Sequence, residues 1–536
     1  MGFWYSDLEQ RAAEEAEIIV DAFGERGIDI GGETDRADYD RDLHPGGIAF
    51  MYDRDHILTR EQYLGGVDGP RGPQRPVEAS KLRGVLDVLQ FDDRAPVVEV
   101  IRVVGDVVLL CLNPRRHKHI RDYDYGDERG GEHADVLDLL RLIEDELGEG
   151  IATPDHVLTA ATLHPCSATE PEPPYPTAGP YPPVCRDGGD RVRIYQADTG
   201  LVTGAAETFP WLAGVSGDPD PRESGGTILP YGGHGTFVAA VLRCMAPEAQ
   251  VHVANVFDIA GSARESDVAI RLKAAFGFGF EILHITASCL TWKNIPPLAL
   301  EGFLELLRPY KGVLCVAEAG NNYTARPAWP GAFSEVLSVG ALATDWRHRA
   351  DFSNHGGWVD VYAPGENLIN AIGSGTYTYQ VSPNAGQVKT FSGLAQWSGT
   401  SFSAPIVTGL IAARMARCGE SAREAAAALL AKARAQAIPG VGPVLLPGCD
   451  DGEDGHCGHC GHCGCAGDHG CKRGGGCGCG GGCGCGGGCG RGGGCGRGED
   501  GHCGHCGCAG DHGCGRGGGC GCGGGGRHGR HGHGPH

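Results

Sequence analysis

Short apolar runs alternate with helix-like spacing from Asp190 to about residue 447. Strand candidates fall at 192–197, 251–257, 282–286, 313–317, 336–339 and 358–362. Apolar strands separated by helical segments predict an α/β unit: a mostly parallel sheet covered by helices on both faces. In such a sheet, functional side chains are expected at the carboxyl ends of the strands.

Upstream the pattern changes. Residues 6–26 have helical spacing, with Ser6 and Glu9 placed as a capping box and Gly27 as a stop. Residues 28–95 are rich in Gly, Asp, Arg and Pro, show weak periodicity and receive no function. Two β-branched runs, 97–104 and 107–112, flank Gly105-Asp106 and predict a hairpin. Residues 133–147 place Val136, Leu140, Ile143 and Leu147 on one helix face before Gly148, and 156–158 read as a further strand. Prolines between 165 and 183 favour extended structure and mark a boundary. The expected organisation is an N-terminal helix and irregular region (1–95), a small α+β unit (96–164), a Pro-rich linker (165–186), the α/β domain (187–447) and a tail (448–536).

Length and charge narrow the function classes. A chain of 536 residues calls for two or three folded units. Its net charge of −22 argues against nucleic-acid binding through a basic face. Acidic and basic side chains balance from Asp451 onward, so the excess negative charge lies in residues 1–450. The first residues do not read as a secretory signal, and no apolar run is long enough to span a bilayer. The expectation is a soluble cytoplasmic protein with no membrane partner. No calcium loop is recognisable, and calcium is left unassigned.

The tail changes the picture through its cysteines. Of 25 cysteines, 17 lie between Cys457 and Cys522. The other eight are read mainly as free, buried thiols, with Cys166 and Cys185 placed to pair in an oxidising compartment. The tail has too few large apolar residues to bury a core and is expected to be disordered without a ligand. It repeats: Gly-Glu-Asp-Gly-His-Cys-Gly-His-Cys occurs at 452–460 and again at 498–506. Thiolate and imidazole ligands suit Zn²⁺ or Cu⁺, with His456, Cys457, His459, Cys460, His502, Cys503, His505 and Cys506 as candidates. Ring-forming modification of Gly-Cys pairs and a merely solvated tail are the competing readings.

Candidate chemistry gathers at element junctions in the α/β region. The first strand runs into Asp198-Thr199-Gly200. Alone this triplet also fits an aspartic peptidase, but the chain holds no second copy. Gly233-His234-Gly235 opens an apolar helix after a glycine-rich loop. Another strand runs into Gly320-Asn321, and Gly399-Thr400-Ser401 opens a helix that contains Pro405 in its first turns. A capping serine, a surface histidine and a turn asparagine would each be unremarkable. Together, Asp198, His234, Asn321 and Ser401 supply what acyl transfer needs. Ser401 is the nucleophile, His234 the base, and Asp198 the group that orients it. Asn321 and the Ser401 N–H are the oxyanion donors.

With these motifs the chain resembles the subtilisin-like serine peptidases, or subtilases. The order Asp198, His234, Ser401 is that family's order, and 338–341, 352–354 and 363–365 add matches over about residues 187–447. The resemblance implies a doubly wound, mostly parallel sheet, serine endopeptidase activity on peptide or protein substrates, and no cofactor for catalysis. It places the small unit where a propeptide would stand. It implies substrate-binding edges at Gly261 and Ser262, at Thr286, Ala287 and Ser288, and at Ala319 and Gly320. Ser288 replaces a glycine at the primary specificity pocket. Glu318 is unusual there, and either favours a basic residue before the scissile bond or turns away into a salt bridge. The rival functions are a non-catalytic scaffold with the same fold and a metal-binding protein acting through its tail.

Overall fold

The computed structural model describes residues 2–33, 48–65, 84–90, 97–112, 136–160, 170–186 and 188–448. The chain divides into Met1–Pro447 and Gly448–His536. All the tail ligand candidates lie outside the described residues.

The N-terminal region opens with α1 (Gly2–Gly24), so Ser6 lies inside the helix and does not cap it. Strands β1 (Ile30–Glu33), β2 (Phe50–Arg60), β3 (Val97–Val104), β4 (Val107–Leu112) and β5 (Ala152–Thr159) form a sheet, with helices α2 (Val85–Gln90) and α3 (Val136–Leu147). The predicted hairpin is β3–β4, and Val136, Leu140 and Ile143 of α3 are buried. Residues 1–95, read as a helix and an irregular region, thus supply two strands of the same sheet as 96–160, and β2 lies between β4 and β5. The run Asp53-Arg54-Asp55-His56 hides β2 from periodicity. It breaks the apolar alternation where the β2–β5 register shifts, between Asp53 and Ile57.

The α/β region begins with β6 (Arg193–Asp198), the short helix α4 (Ala205–Thr208) and β7 (Ser216–Gly217). Next come β8 (Glu223–Ser224), β9 (Thr227–Ile228), α5 (His234–Met245), β10 (Gln250–Asn255), β11 (Ser262–Arg264), α6 (Glu265–Leu272) and α7 (Ala275–Phe278). The rest are β12 (Ile282–Ile285), α8 (Leu298–Leu307), β13 (Leu314–Glu318), β14 (Val336–Leu342), β15 (Val361–Pro364), β16 (Leu368–Thr378), β17 (Val388–Trp397), α9 (Thr400–Cys418) and α10 (Ala422–Ala435).

The central sheet has the order β15-β14-β13-β12-β6-β10-β7, and all its pairs are parallel. One face packs Leu283, Ile285, Cys315 and Ala317 against α6 and α8, and Val103, Val104 and Val107 of the N-terminal sheet join the same core. On the other face His284 of β12 meets Thr408 of α9, at 3.0 Å. Burying both faces is what makes these strands read as uninterrupted apolar runs. The predicted doubly wound α/β architecture is the observed one.

A smaller sheet, β17-β16-β9-β8, was not anticipated. Its long strands carry Thr, Ser, Gly and Tyr with exposed positions, so they lack a strong apolar signal. The proline-rich segment is pinned to this sheet: Glu172 and Gln396 exchange backbone bonds of 2.9 and 2.7 Å, and Tyr181 bridges Ile369. Cys185, one of the two cysteines placed to pair, is disulfide-bonded; Cys244, Cys289 and Cys315 are free and buried as expected, whereas free Cys111 is half-buried and free Cys418 exposed. Among the described residues, no helix is long and apolar enough to cross a membrane.

Candidate active site

Asp198 is the last residue of β6, fully buried. His234 starts α5, whose first turn lies against the turn after β6. That approach needs glycine: a Cβ on Gly235 would sit 2.4 Å from the Gly200 carbonyl oxygen. Gly233 has φ +79°, and a Cβ there would meet Ile372 at 2.5 Å. The His234 Nδ1 is 2.7 Å from Asp198 Oδ1, and both side chains are buried. The Thr199 N–H donates to Oδ1 at 2.8 Å, while Thr286 Oγ1 and Gln196 Nε2 donate to Oδ2 at 2.6 and 3.0 Å. Burial opposes the Asp198 charge, but the imidazole and these donors outweigh it and hold its pKa below the usual value. Burial likewise opposes protonated His234, and Asp198 outweighs that and raises its pKa. Trp397 and Phe402 wall the imidazole, with ring centroids at 5.5 and 5.3 Å.

Ser401 lies in the first turn of α9, where backbone N–H groups lack intrahelical acceptors. It lines one pocket with His234, Asn321, Tyr231, Trp397 and Ala160. Asn321 Oδ1 accepts from the Thr400 N–H and from Thr400 Oγ1, both at 2.8 Å, which fixes the carboxamide. The Ser401 hydroxyl is turned to Glu318, 2.5 Å from Oε2, with the Thr286 carbonyl at 3.5 Å. Glu318 forms no salt bridge among the described residues. It is buried and also accepts from Thr400 Oγ1 at 3.0 Å and Ser288 Oγ at 3.1 Å. Burial pushes its pKa up to about 7, against the pull of these hydroxyls.

The predicted substrate edges form a cleft that the chain itself fills. Ser262 belongs to β11, which pairs antiparallel with β5. On the other side Thr159 and Ser288 exchange backbone bonds of 3.0 and 3.1 Å, and the Ala160 N–H donates to the Gly261 carbonyl at 2.9 Å. Thr286 instead faces Asp198. Ala287 and Ala319 are buried; Gly320 has φ +91°, and a Cβ there would collide with Asn354 and Ser288. Helix α1 also reaches the site, because the pocket residue Tyr231 donates to Glu15 at 2.6 Å. Sequence reasoning missed two contributors. Gln196 is a polar side chain inside a buried strand, which is a usable signal. Tyr231 gave none.

Residues 213–459 match the model of the Subtilase family. That span contains His234, Asn321 and Ser401 and begins after Asp198. The chain is 30% identical over 228 residues to a thermophilic serine proteinase of Bacillus sp. (strain AK1), covering 39% of this chain and 49% of that protein. It is 28% identical over 237 residues to an intracellular serine protease of Paenibacillus polymyxa, covering 42% and 66%. It thus spans about half to two thirds of the length of these relatives. A solved structure of the patellamide maturation protease PatA is 28% identical and covers 46% of this chain and 88% of that one, with a TM-score of 0.36. Over residues 213–459, a little under half of its length, the chain is similar to the subtilase family.

Proposed function

We propose that residues 187–447 form a serine endopeptidase acting through an acyl-enzyme. Ser401 Oγ attacks the peptide carbonyl carbon as His234 Nε2 takes its proton. The C–N bond breaks, and His234 passes that proton to the leaving amine. Water then attacks the ester carbon and gives a proton to His234. The ester C–O bond breaks, and Ser401 regains its hydrogen. Asp198 fixes the imidazole tautomer and stabilises its cation, while Asn321 Nδ2 and the Ser401 N–H serve as oxyanion donors. The observation that carries this reading is the buried Asp198–His234 pair at 2.7 Å, opening on the pocket that Ser401 lines.

The same reading makes the N-terminal region a propeptide. The end of β5 lies in the cleft as an added antiparallel strand, the way a peptide substrate would bind. The non-catalytic scaffold reading draws on one observation, the Ser401 hydroxyl directed at Glu318.

Fluorophosphonate labelling of the full chain decides between them. Labelling is expected in the parent and absent from Ser401→Ala. A folded chain that stays unlabelled from about pH 5 to 9 even after it has been cut past Ala160 and the N-terminal region removed would favour the scaffold.

A further inference from the structure

We propose that Glu318 locks the nucleophile, holding the Ser401 hydroxyl away from His234 until that hydrogen bond is exchanged for one to the imidazole. The lock rests on the peptidase reading and adds a positioning residue to it. The hydroxyls of Ser401 at 2.5 Å and Ser288 at 3.1 Å converge on this one carboxyl from two distant segments, and that of Thr400 lies 3.0 Å away with its one proton shared with Asn321 Oδ1. Glu318 is 1% exposed, and no Arg or Lys pairs with it among the described residues. The groups facing it are Thr400 and Ser401 from α9, Ser288 from the segment after β12, and Asn321 from its own segment. From α5, the His234 imidazole acts on it as a charge.

The two potential acceptors for the serine proton differ in what stands behind them. His234 is backed by Asp198, which stabilises the imidazolium that proton transfer creates. Glu318 is surrounded by hydroxyls that donate to it and favour its ionised form, against the burial that favours its protonated one. That difference makes Glu318 a holder of Ser401 and His234 its base.

The lock carries a pH dependence. Burial pushes the Glu318 pKa up to about 7, so the stronger, ionised acceptor is the alkaline form. His234 must be neutral to act, and its own pKa is raised, by Asp198 and further by Glu318. As pH rises, His234 gains the neutral form it needs while Glu318 gains the charge that tightens the lock, so the two oppose each other in the parent and the lock sets its alkaline limit. Removing Glu318 lifts the alkaline limit and lowers the His234 pKa.

The test is the fluorophosphonate labelling rate of the full-length parent, Glu318→Ala and Glu318→Gln, compared at equal extent of self-processing. At pH 8, Glu318→Ala is expected to label at least about tenfold faster, the scale of one hydrogen bond to a charged group. The ratio of the alanine variant's rate to the parent's should grow as pH rises through about 7. The alanine variant should climb to a plateau. Glutamine keeps an acceptor without a charge and should fall between them. Equal rates and profiles in parent and alanine variant would overturn the lock and leave the peptidase intact. So would slower labelling of both variants with unchanged circular dichroism, which would mark Glu318 as a proton acceptor for Ser401. If no folded variant labels at any pH after the chain has been cut past Ala160 and the N-terminal region removed, the peptidase reading fails and the lock with it.

Discussion

Asp198 accepts hydrogen bonds from His234, Thr199, Thr286 and Gln196. Thr286 makes the shortest, at 2.6 Å, to the oxygen that does not face the imidazole. Thr286→Val keeps the shape of the side chain and removes that donor. It is expected to destabilise the fold by about 1–3 kcal/mol at neutral pH, read by urea unfolding. Because the Asp198 pKa is held below its usual value, its contribution is present above the usual carboxylate range and lost as pH falls through the folded pKa. The deficit of the variant should therefore shrink in acid. Asp198, His234 and Ser401 were legible in sequence because each stands within two residues of a glycine at an element junction. Glu318 was not. Where a strand-end side chain points is decided by the hydroxyls it meets, and Ser288 and Thr400 come from segments remote in sequence.

At the scale of elements, β5 does two jobs. Its end fills the cleft, and Asp155 in its middle binds the start of α6: Ser266 donates from N–H at 3.0 Å and from Oγ at 2.6 Å. Burial pushes the Asp155 pKa up to about 7, opposed by Arg264 and reinforced by the charges of Glu265 and Asp53. A raised carboxyl pKa contributes stability that is full in acid and lost as pH rises through the folded value. Asp155→Asn cannot titrate. Its melting temperature is expected to fall less than the parent's between about pH 5 and 8, by a few degrees. Glu318 and Glu223 are also shifted to about 7, so the comparison with the parent is what isolates Asp155. The central strands were legible because both their faces are buried. β2 was not, because Asp53, which accepts from Arg264 at 2.8 Å, interrupts its apolar run.

At the scale of the whole molecule, the sequence showed a doubly wound region and a separate small unit, and the described residues join the two more closely than composition implied. The sheet of the N-terminal region is completed by β11 from the α/β region. Such a pairing has no local signature, since Leu158 and Ala263 are neighbours only after folding. It also decides timing. On the proposed function, the strand in the cleft and the serine beside it belong to one chain, so their meeting does not depend on how many other molecules are near. The first cut should proceed at the same fractional rate after hundredfold dilution, and mass spectrometry should find the new N-terminus just past Ala160, at Ala161 or Thr162. A rate that slows on dilution would mean that one molecule cuts another. Before that cut the occupant of the cleft is permanent. Afterwards it is a ligand with a dissociation constant, and protein concentration becomes the clock for every later turnover.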